Sequence, residues 1–329
     1  MEYTILETQV QQEPPSENHE PAPHNERAFI LANTVKSSRE EMKRDHVIPV
    51  FIKDNEPVLS HVDFIEIMQQ ATLEVFSGET ILKPAVRLSH PIKGRIPEAK
   101  NKAASELLHN EKTLYYERMA FTIEIDSVQE NVSGNALKLM VGGVKAYNKD
   151  NLYSKKGADE HFKIFIGFQN TVCTNLCVWS DGYVGDLKVK DAQQLKNGIL
   201  KMFYEYDMNH QLTFLHGLDN YALAEQQFAQ LIGRCRLYQH LSYQKKLEIP
   251  AIQLSDTQLN VVAKDYYNDN SFCRDDNGQI NLWRLYNLFT GANKSSYIDT
   301  FLDRTVNATT FIGEIKQALA KKSECWFLN

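Results

Sequence analysis

The sequence predicts an α+β protein: an antiparallel sheet over about 113–190, made of a hairpin plus further strands, packed with helices and followed by a helical C-terminal half. Three observations predict it. Aromatic and β-branched residues dominate 113–128 and return over 136–147 and 161–168, the signature of strands. The stretch Asn-Val-Ser-Gly-Asn at 131–135 supplies a turn between the first two of these runs. After Asp191 the apolar residues change to helical spacing and keep it almost to the end.

In chain order, residues 1–26 come first and carry six acids, no Lys or Arg, and Pro14, Pro15, Pro21 and Pro23. With 36 basic and 42 acidic residues in 329, the net charge of −6 belongs entirely to this tail, and residues 27–329 are neutral. Too few apolar groups are present to repay the entropy of ordering, so 1–26 is expected to be a disordered acidic tail. It would solubilise the protein or, alternatively, lie over a basic groove. The expected organisation is this tail, an α+β region over 27–190, and a mainly helical region over 191–329 packed on the sheet as one domain.

Ser60 and Asp63 form a capping-box-like start to a helix running to about Phe76, with Val62, Ile65, Met68, Leu73 and Phe76 inward and Gly78 ending it. Residues 83–102 hold six Lys or Arg against one acid, Glu98. Pro84, Pro91, Gly94 and Pro97 interrupt both periodicities there, which predicts an ordered surface loop presenting Lys93, Gly94 and Arg95. Pro97 then opens a second helix to about His109. In the 136–147 strand, Gly142 and Gly143 are expected to mark a bulge.

In the second half, a helix is expected over 191–208. A long one is expected over 219–243, where Tyr221, Phe228 and Cys235, interleaved with Ala224, Leu231 and Tyr238, recur every seven residues. Gly233 and the small or aromatic knobs favour a core helix there over a coiled-coil seam. Asp256 starts a further helix, 281–289 reads as a short and strongly apolar one, and 297–322 as the last, with Ile298, Phe301, Leu302, Val306, Ile312, Ile315 and Leu319 inward.

Much chemistry is disfavoured. No Gly-x-Gly-x-x-Gly, Gly-x-x-x-x-Gly-Lys, Gly-x-Ser-x-Gly or His-Glu-x-x-His occurs, so no cofactor is expected. The five cysteines, at 173, 177, 235, 273 and 325, are odd in number and irregularly spaced, which predicts reduced thiols. On a strand Cys173 and Cys177 would lie about 13 Å apart, too far for a bridge or a shared metal. Asp275 to Gly278 resembles a calcium loop, but its alignment puts Cys273 and Arg284 where carboxylates are required, so a tight turn is the better reading. A Cys/His couple of His161 with Cys173 would need the two to meet across the sheet. No apolar run approaches the roughly 20 residues that span a bilayer, and no secretory signal is evident, so no membrane partner and a cytoplasmic location are expected.

What remains is the basic stretch. Lys93, Arg95, Lys100, Lys102 and His90, with backbone donors near Gly94, suit a polyanion, because neutralising phosphates releases counterions without demanding close geometry. Tyr115 and Tyr153 could stack bases beside them. A solvated loop that merely keeps the protein soluble is the competing reading. Glu98 and Lys100 form half of a metal-dependent nuclease signature, with no partnering acid in view.

Three stretches carry a family resemblance: Ser-His-Pro-Ile-Lys-Gly-Arg-Ile-Pro at 89–97, Phe-Ile-Gly-Phe-Gln-Asn-Thr-Val-Cys-Thr-Asn-Leu-Cys at 165–177, and Leu-Trp-Arg-Leu-Tyr-Asn at 282–287. Over roughly 27–320 the chain resembles the bacterial domain-of-unknown-function family DUF3871. The step at 172–175 and the Trp-x-x-Tyr-Asn segment are also similar to a broader group of phage- and plasmid-borne proteins. The resemblance implies a gene carried on mobile elements and transfers no catalytic residue. Separately, the order hairpin, third strand, helix is similar to the core of single-strand annealing proteins. The function expected is therefore a non-enzymatic, mobile-element protein binding single-stranded nucleic acid through the basic loop. One alternative is a protein-interaction module using the acidic tail and the apolar helix at 282–289. The other is a metal-dependent hydrolase built from dispersed carboxylates.

Overall fold

The protein is described from a computed structural model, which covers residues 28–45, 59–89, 91–99, 101–146 and 158–329; the expected tail, 1–26, lies outside these. In chain order the strands and helices are β1 (Val35–Ser37), α1 (Arg39–Asp45), α2 (His61–Val75), β2 (Ala85–Leu88), β3 (Pro91–Arg95), β4 (Lys112–Tyr116), β5 (Arg118–Val132), β6 (Asn135–Ala146), β7 (Glu160–Asn170), β8 (Leu176–Cys177) and β9 (Tyr183–Val189). Then come α3 (Ala192–Glu205), α4 (Met208–His216), β10 (Ala222–Leu223), α5 (Glu225–Tyr238), α6 (Tyr243–Leu247), α7 (Asp256–Asn268), β11 (Ile280–Asn281), α8 (Leu282–Asn293) and α9 (Ile298–Lys321). The class is α+β, as the periodicities require.

The sheet is antiparallel, in the order β1-β2-β5-β6-β7, with β8 and β9 pairing different stretches of β7. Its spine is the β5–β6 hairpin, closed by Ser133 (φ 52) and Gly134 (φ 77). Two consecutive left-handed residues are what a tight turn matched to strand twist demands. Gly142 and Gly143 do not mark a bulge: the register runs unbroken through Thr122↔Gly142 and Phe121↔Gly143. The irregularity lies instead between Ile125 and Gln129, where β5 carries extra residues against β6. The glycines serve packing. A Cβ on Gly143 would strike the ring of Phe64 from α2, and one on Gly142 would strike Phe165.

Strand alternation divides the sheet into two apolar faces. Ile123, Leu139, Val141, Phe162, Ile164 and Ile166 face α2 and α3, with Phe64 set edge-on to both Phe121 and Phe162. Ala120, Met140, Val144 and Phe165 face the start of α9, where Ile298, Phe301 and Leu302 join Phe29 and Ile30 of the N-terminal segment. The first buried cluster continues through α5, α7 and α8 to Phe311 and Phe327.

Helix starts follow the capping residues. Ser60 and Asp63 exchange both capping-box bonds at α2, Asp191 caps α3, and Asn281 caps α8. Leu73, expected inward, is 53% exposed. The buried stripe of α2 runs Phe64, Ile65, Met68, Ala71, Thr72, and a residue one step beyond Thr72 turns about 100° away from it. Thr72 satisfies its hydroxyl on the Met68 carbonyl at 2.7 Å. The long helix expected over 219–243 is shorter: α5 begins at Glu225 because Ala222 and Leu223 pair with β11. Phe228, Leu231, Cys235 and Tyr238 are buried against the chain's own interior, as for a core helix.

Candidate nucleic-acid interface

The basic stretch is not a loop. β2 pairs β5 from Ala85↔Thr122 to Leu88↔Met119, and β3 pairs β4 from Pro91↔Tyr116 to Arg95↔Lys112. The same register runs through both, bridged where the Ser89 amide donates to the Arg118 carbonyl at 2.9 Å and the Arg118 amide donates to Ser89 Oγ at 3.2 Å. The strands are one continuous antiparallel ribbon. β1 stops opposite Leu88 and β6 stops opposite Arg118, so among the described residues the β3–β4 portion has neither at its side. It runs on past the sheet for about 17 Å, five residues at about 3.4 Å each.

The prolines misled the sequence reading for a physical reason. Pro91 opens β3 and Pro97 follows it, positions where a missing amide costs a strand nothing. The helix expected from Pro97 to His109 is also absent. Short 3-10 turns stand at Pro97–Ala99, Ala104–Glu106 and His109–Glu111. The carboxylates of Glu106 and Glu111 fold back onto the amides of Ala103 and Leu108, and the polar segment offers no stripe to bury. Near the tip, the Ile96 amide donates to the Glu111 carbonyl at 3.1 Å. At the root, His61 from the start of α2 is bonded through Nε2 to the Tyr116 carbonyl at 2.8 Å.

The register places Lys93 opposite Leu114, Gly94 opposite Thr113, and Tyr115 opposite Ile92. It also brings Lys112, exposed and not singled out from the sequence, opposite Arg95, so positions 93, 95 and 112 share one ribbon face. The signal was available only once 91–95 had been read as a strand. Lys102 is half-buried and ion-paired to Glu111. Donation from Lys102 and then from the Leu108 amide holds the Glu111 carboxyl below its ordinary range. His90, Lys100 and Tyr153 lie outside the described residues. Arg87 turns toward β1, donating to Thr34 Oγ1 at 3.0 Å, and Arg118 lies 3.3 Å from Asp299 and 3.4 Å from Glu117.

The other two motif stretches meet inside the protein. Asn287 Oδ1 accepts from Asn170 at 3.1 Å, Asn175 Nδ2 donates to the Asn287 carbonyl at 2.9 Å, and Lys294 holds the Cys173 carbonyl and Thr174 Oγ1 across the turn made by Thr174 (φ 58). These bonds lock the β7–β8 turn to α8, with Asn175 Oδ1 buried and left without a hydrogen-bond partner. Burial pushes the Cys173 thiol up to about 11, against the pull of Lys294, and the Cys177 thiol up to about 12, so neither is disposed to act as a nucleophile. Cys173 lies in the turn beyond the C-terminal end of β7, while His161 sits near its other end and pairs with Asp186 at 2.6 Å, so the two do not form a couple. Asp275 to Gly278 is a tight turn, with Asp275 Oδ1 accepting from the amides of Asn277 and Gln279. The apolar helix at 282–289, considered as a partner contact, is buried at Leu282, Trp283, Leu285, Tyr286, Leu288 and Phe289. Among the described residues no group of three or more His, Cys, Asp or Glu could hold a metal ion, and no helix is long and apolar enough to cross a membrane.

No curated protein and no solved structure matches the chain. The family described as "Domain of unknown function, B. Theta Gene description (DUF3871)" matches over residues 16–328, and the chain belongs to that family.

Proposed function

We propose that the protein binds single-stranded nucleic acid along the β3–β4 ribbon, in a non-enzymatic role in the cytoplasm on behalf of a mobile element. The observation that carries this reading is the ribbon: two strands held in one register past the end of the sheet, with positions 93, 95 and 112 on one face. A cationic ribbon of this kind meets phosphates at strand spacing and is narrow enough to follow a backbone without a groove around it. Position 115, opposite Ile92, falls on the other ribbon face from 93, 95 and 112, so the single-strand reading rests on the narrow ribbon alone. The mobile-element assignment is supported by the motif stretches at 172–175 and 283–287.

Fluorescence anisotropy with a labelled 20-nucleotide oligo-dT and a duplex of equal length, titrated at several KCl concentrations, tests the proposal. The Lys93→Ala, Arg95→Ala, Lys112→Ala triple variant should bind the single strand at least tenfold more weakly at low salt. Its log-log salt slope should be shallower by about 2, at about 0.7 per lost phosphate contact. No binding by the unaltered protein at low salt, or a triple variant with an unchanged slope, overturns it. Tighter binding of the duplex overturns the single-strand part alone.

A further inference from the structure

A second feature stands apart from the ribbon. Between α4 and the later turns of α9 lies an open cleft of about 460 Å³, whose lining includes Trp179, Phe214, Thr310, Gly313, Glu314 and Lys316. That volume lies within the range of small-molecule sites. One wall is aromatic: the rings of Trp179 and Phe214 are 4.3 Å apart at 60°, and His210 adds an edge contact to Trp179 at 5.3 Å.

Lys316 is the cation of this cleft. Its ammonium donates to the Phe214 carbonyl at 3.3 Å and stands 4.9 Å from the Phe214 ring centroid, while no carboxylate among the described residues pairs with it. The side chain is half-buried, burial lowers its pKa, and its charge is met by the C-terminal end of α4 in place of a carboxylate. The other lysines embedded beside the sheet, Lys138, Lys145 and Lys163, each have a carboxylate.

Gly313 also lines the cleft. A Cβ there would meet Phe214 at 3.5 Å, an ordinary contact, so packing does not require glycine. Glycine inside a helix costs about 1 kcal/mol relative to alanine. Gly313 lies close against the Phe214 ring on the α9 side of the cleft.

We propose that this cleft binds a small planar aromatic monoanion, with its ring against the Trp179 and Phe214 wall and its carboxylate on the Lys316 ammonium. Glu314, an exposed acid that also lines the cleft, sets the charge limit, since a second negative group on the ligand would be repelled by it. The site is independent of the ribbon and of any nucleic acid held there.

The probes are 1-naphthoate and its neutral counterpart 1-naphthalenemethanol, titrated into the full chain by calorimetry and followed by amide and indole NMR shifts. The expected result is saturable naphthoate binding that moves the Trp179 indole and the Gly313 amide. Lys316→Met, which keeps an aliphatic stem, should weaken naphthoate about tenfold and leave the alcohol unchanged. Gly313→Leu should abolish both by filling the cleft. The proposal is overturned by no saturable binding at millimolar probe, by equal weakening of both probes in Lys316→Met, or by shifts confined to other residues. Should Gly313→Leu fail to fold, the NMR map and the Lys316→Met comparison decide.

Discussion

The lysines of the central strands and those of the ribbon belong to one antiparallel system, yet they have opposite surroundings. Lys145 on β6 is fully buried, 2.7 Å from Glu160 Oε2 and 4.0 Å from the centre of the Phe162 ring, and Glu160 also accepts the Leu59 amide at 3.0 Å. Lys163 on β7 donates to the carbonyl of Asp299 and pairs with Asp303, which Tyr183 also reaches at 2.7 Å. Lys138 binds both Glu124 and Asp126. On the ribbon, Lys112 is exposed and faces the position of another cation, Arg95. The difference teaches that a cation in a strand is neutralised where helices or neighbouring strands cover it, because an unpaired buried charge is too costly to persist. Where no element among the described residues flanks the strand pair, water solvates an exposed cation such as Lys112.

The most direct way to break this comparison is to remove one half of the buried pair. Lys145→Met leaves Glu160 as a buried carboxylate with the Leu59 amide but no cation, and urea unfolding should show a loss of about 3–5 kcal/mol. The double variant Lys145→Met, Glu160→Met should recover most of that loss, since two apolar side chains restore a balanced interior. A single variant no less stable than the double would contradict the buried-pair account.

A smaller, pH-dependent effect sharpens the middle case. Donation from Lys138, the largest influence, holds the Asp126 carboxyl below its ordinary value of 3.8, while partial burial pulls the other way. A carboxyl depressed in the folded state stabilises above its unfolded pKa and loses that contribution as pH falls through the folded value. Thermal melts of Lys138→Met should therefore fall less steeply below pH 3.8 than those of the unaltered protein. Parallel acid limbs would show that the pair contributes nothing.

The smallest effect belongs to the ribbon. Lys112→Ala should change unfolding stability by less than about 0.5 kcal/mol, as for an exposed side chain with no buried partner. A loss of several kcal/mol would mean that Lys112 is a structural group and would remove it from the interface.

Legibility followed how local each signal was. The start of α2 was readable because Ser60 and Asp63 lie within one turn of each other, and the β5–β6 turn because Ser133 and Gly134 are adjacent. The starts of α7 to α9 agree within one residue for the same reason, since capping groups and apolar spacing sit inside the element, whereas α8 runs on to Asn293, past the expected 289. The β2–β3 strand was missed because its partner lies in 112–122, across an irregular segment, and its prolines looked like breaks when seen without that partner. Of the candidate site, Lys93, Gly94 and Arg95 were placed together correctly as neighbours but on the wrong kind of element. Lys102 was counted as an available cation because its ion pair with Glu111 forms only when the segment folds back on itself.

The sequence by itself determined the α+β class, the antiparallel hairpin and the helical second half, since period, turn chemistry and capping act over a few residues. Tertiary structure alone decided which charges are neutralised, which glycines make room for rings, and where the cleft beside Lys316 opens. Those outcomes depend on residues distant in the chain being brought within a few ångströms, and neither composition nor spacing encodes which pairs will meet.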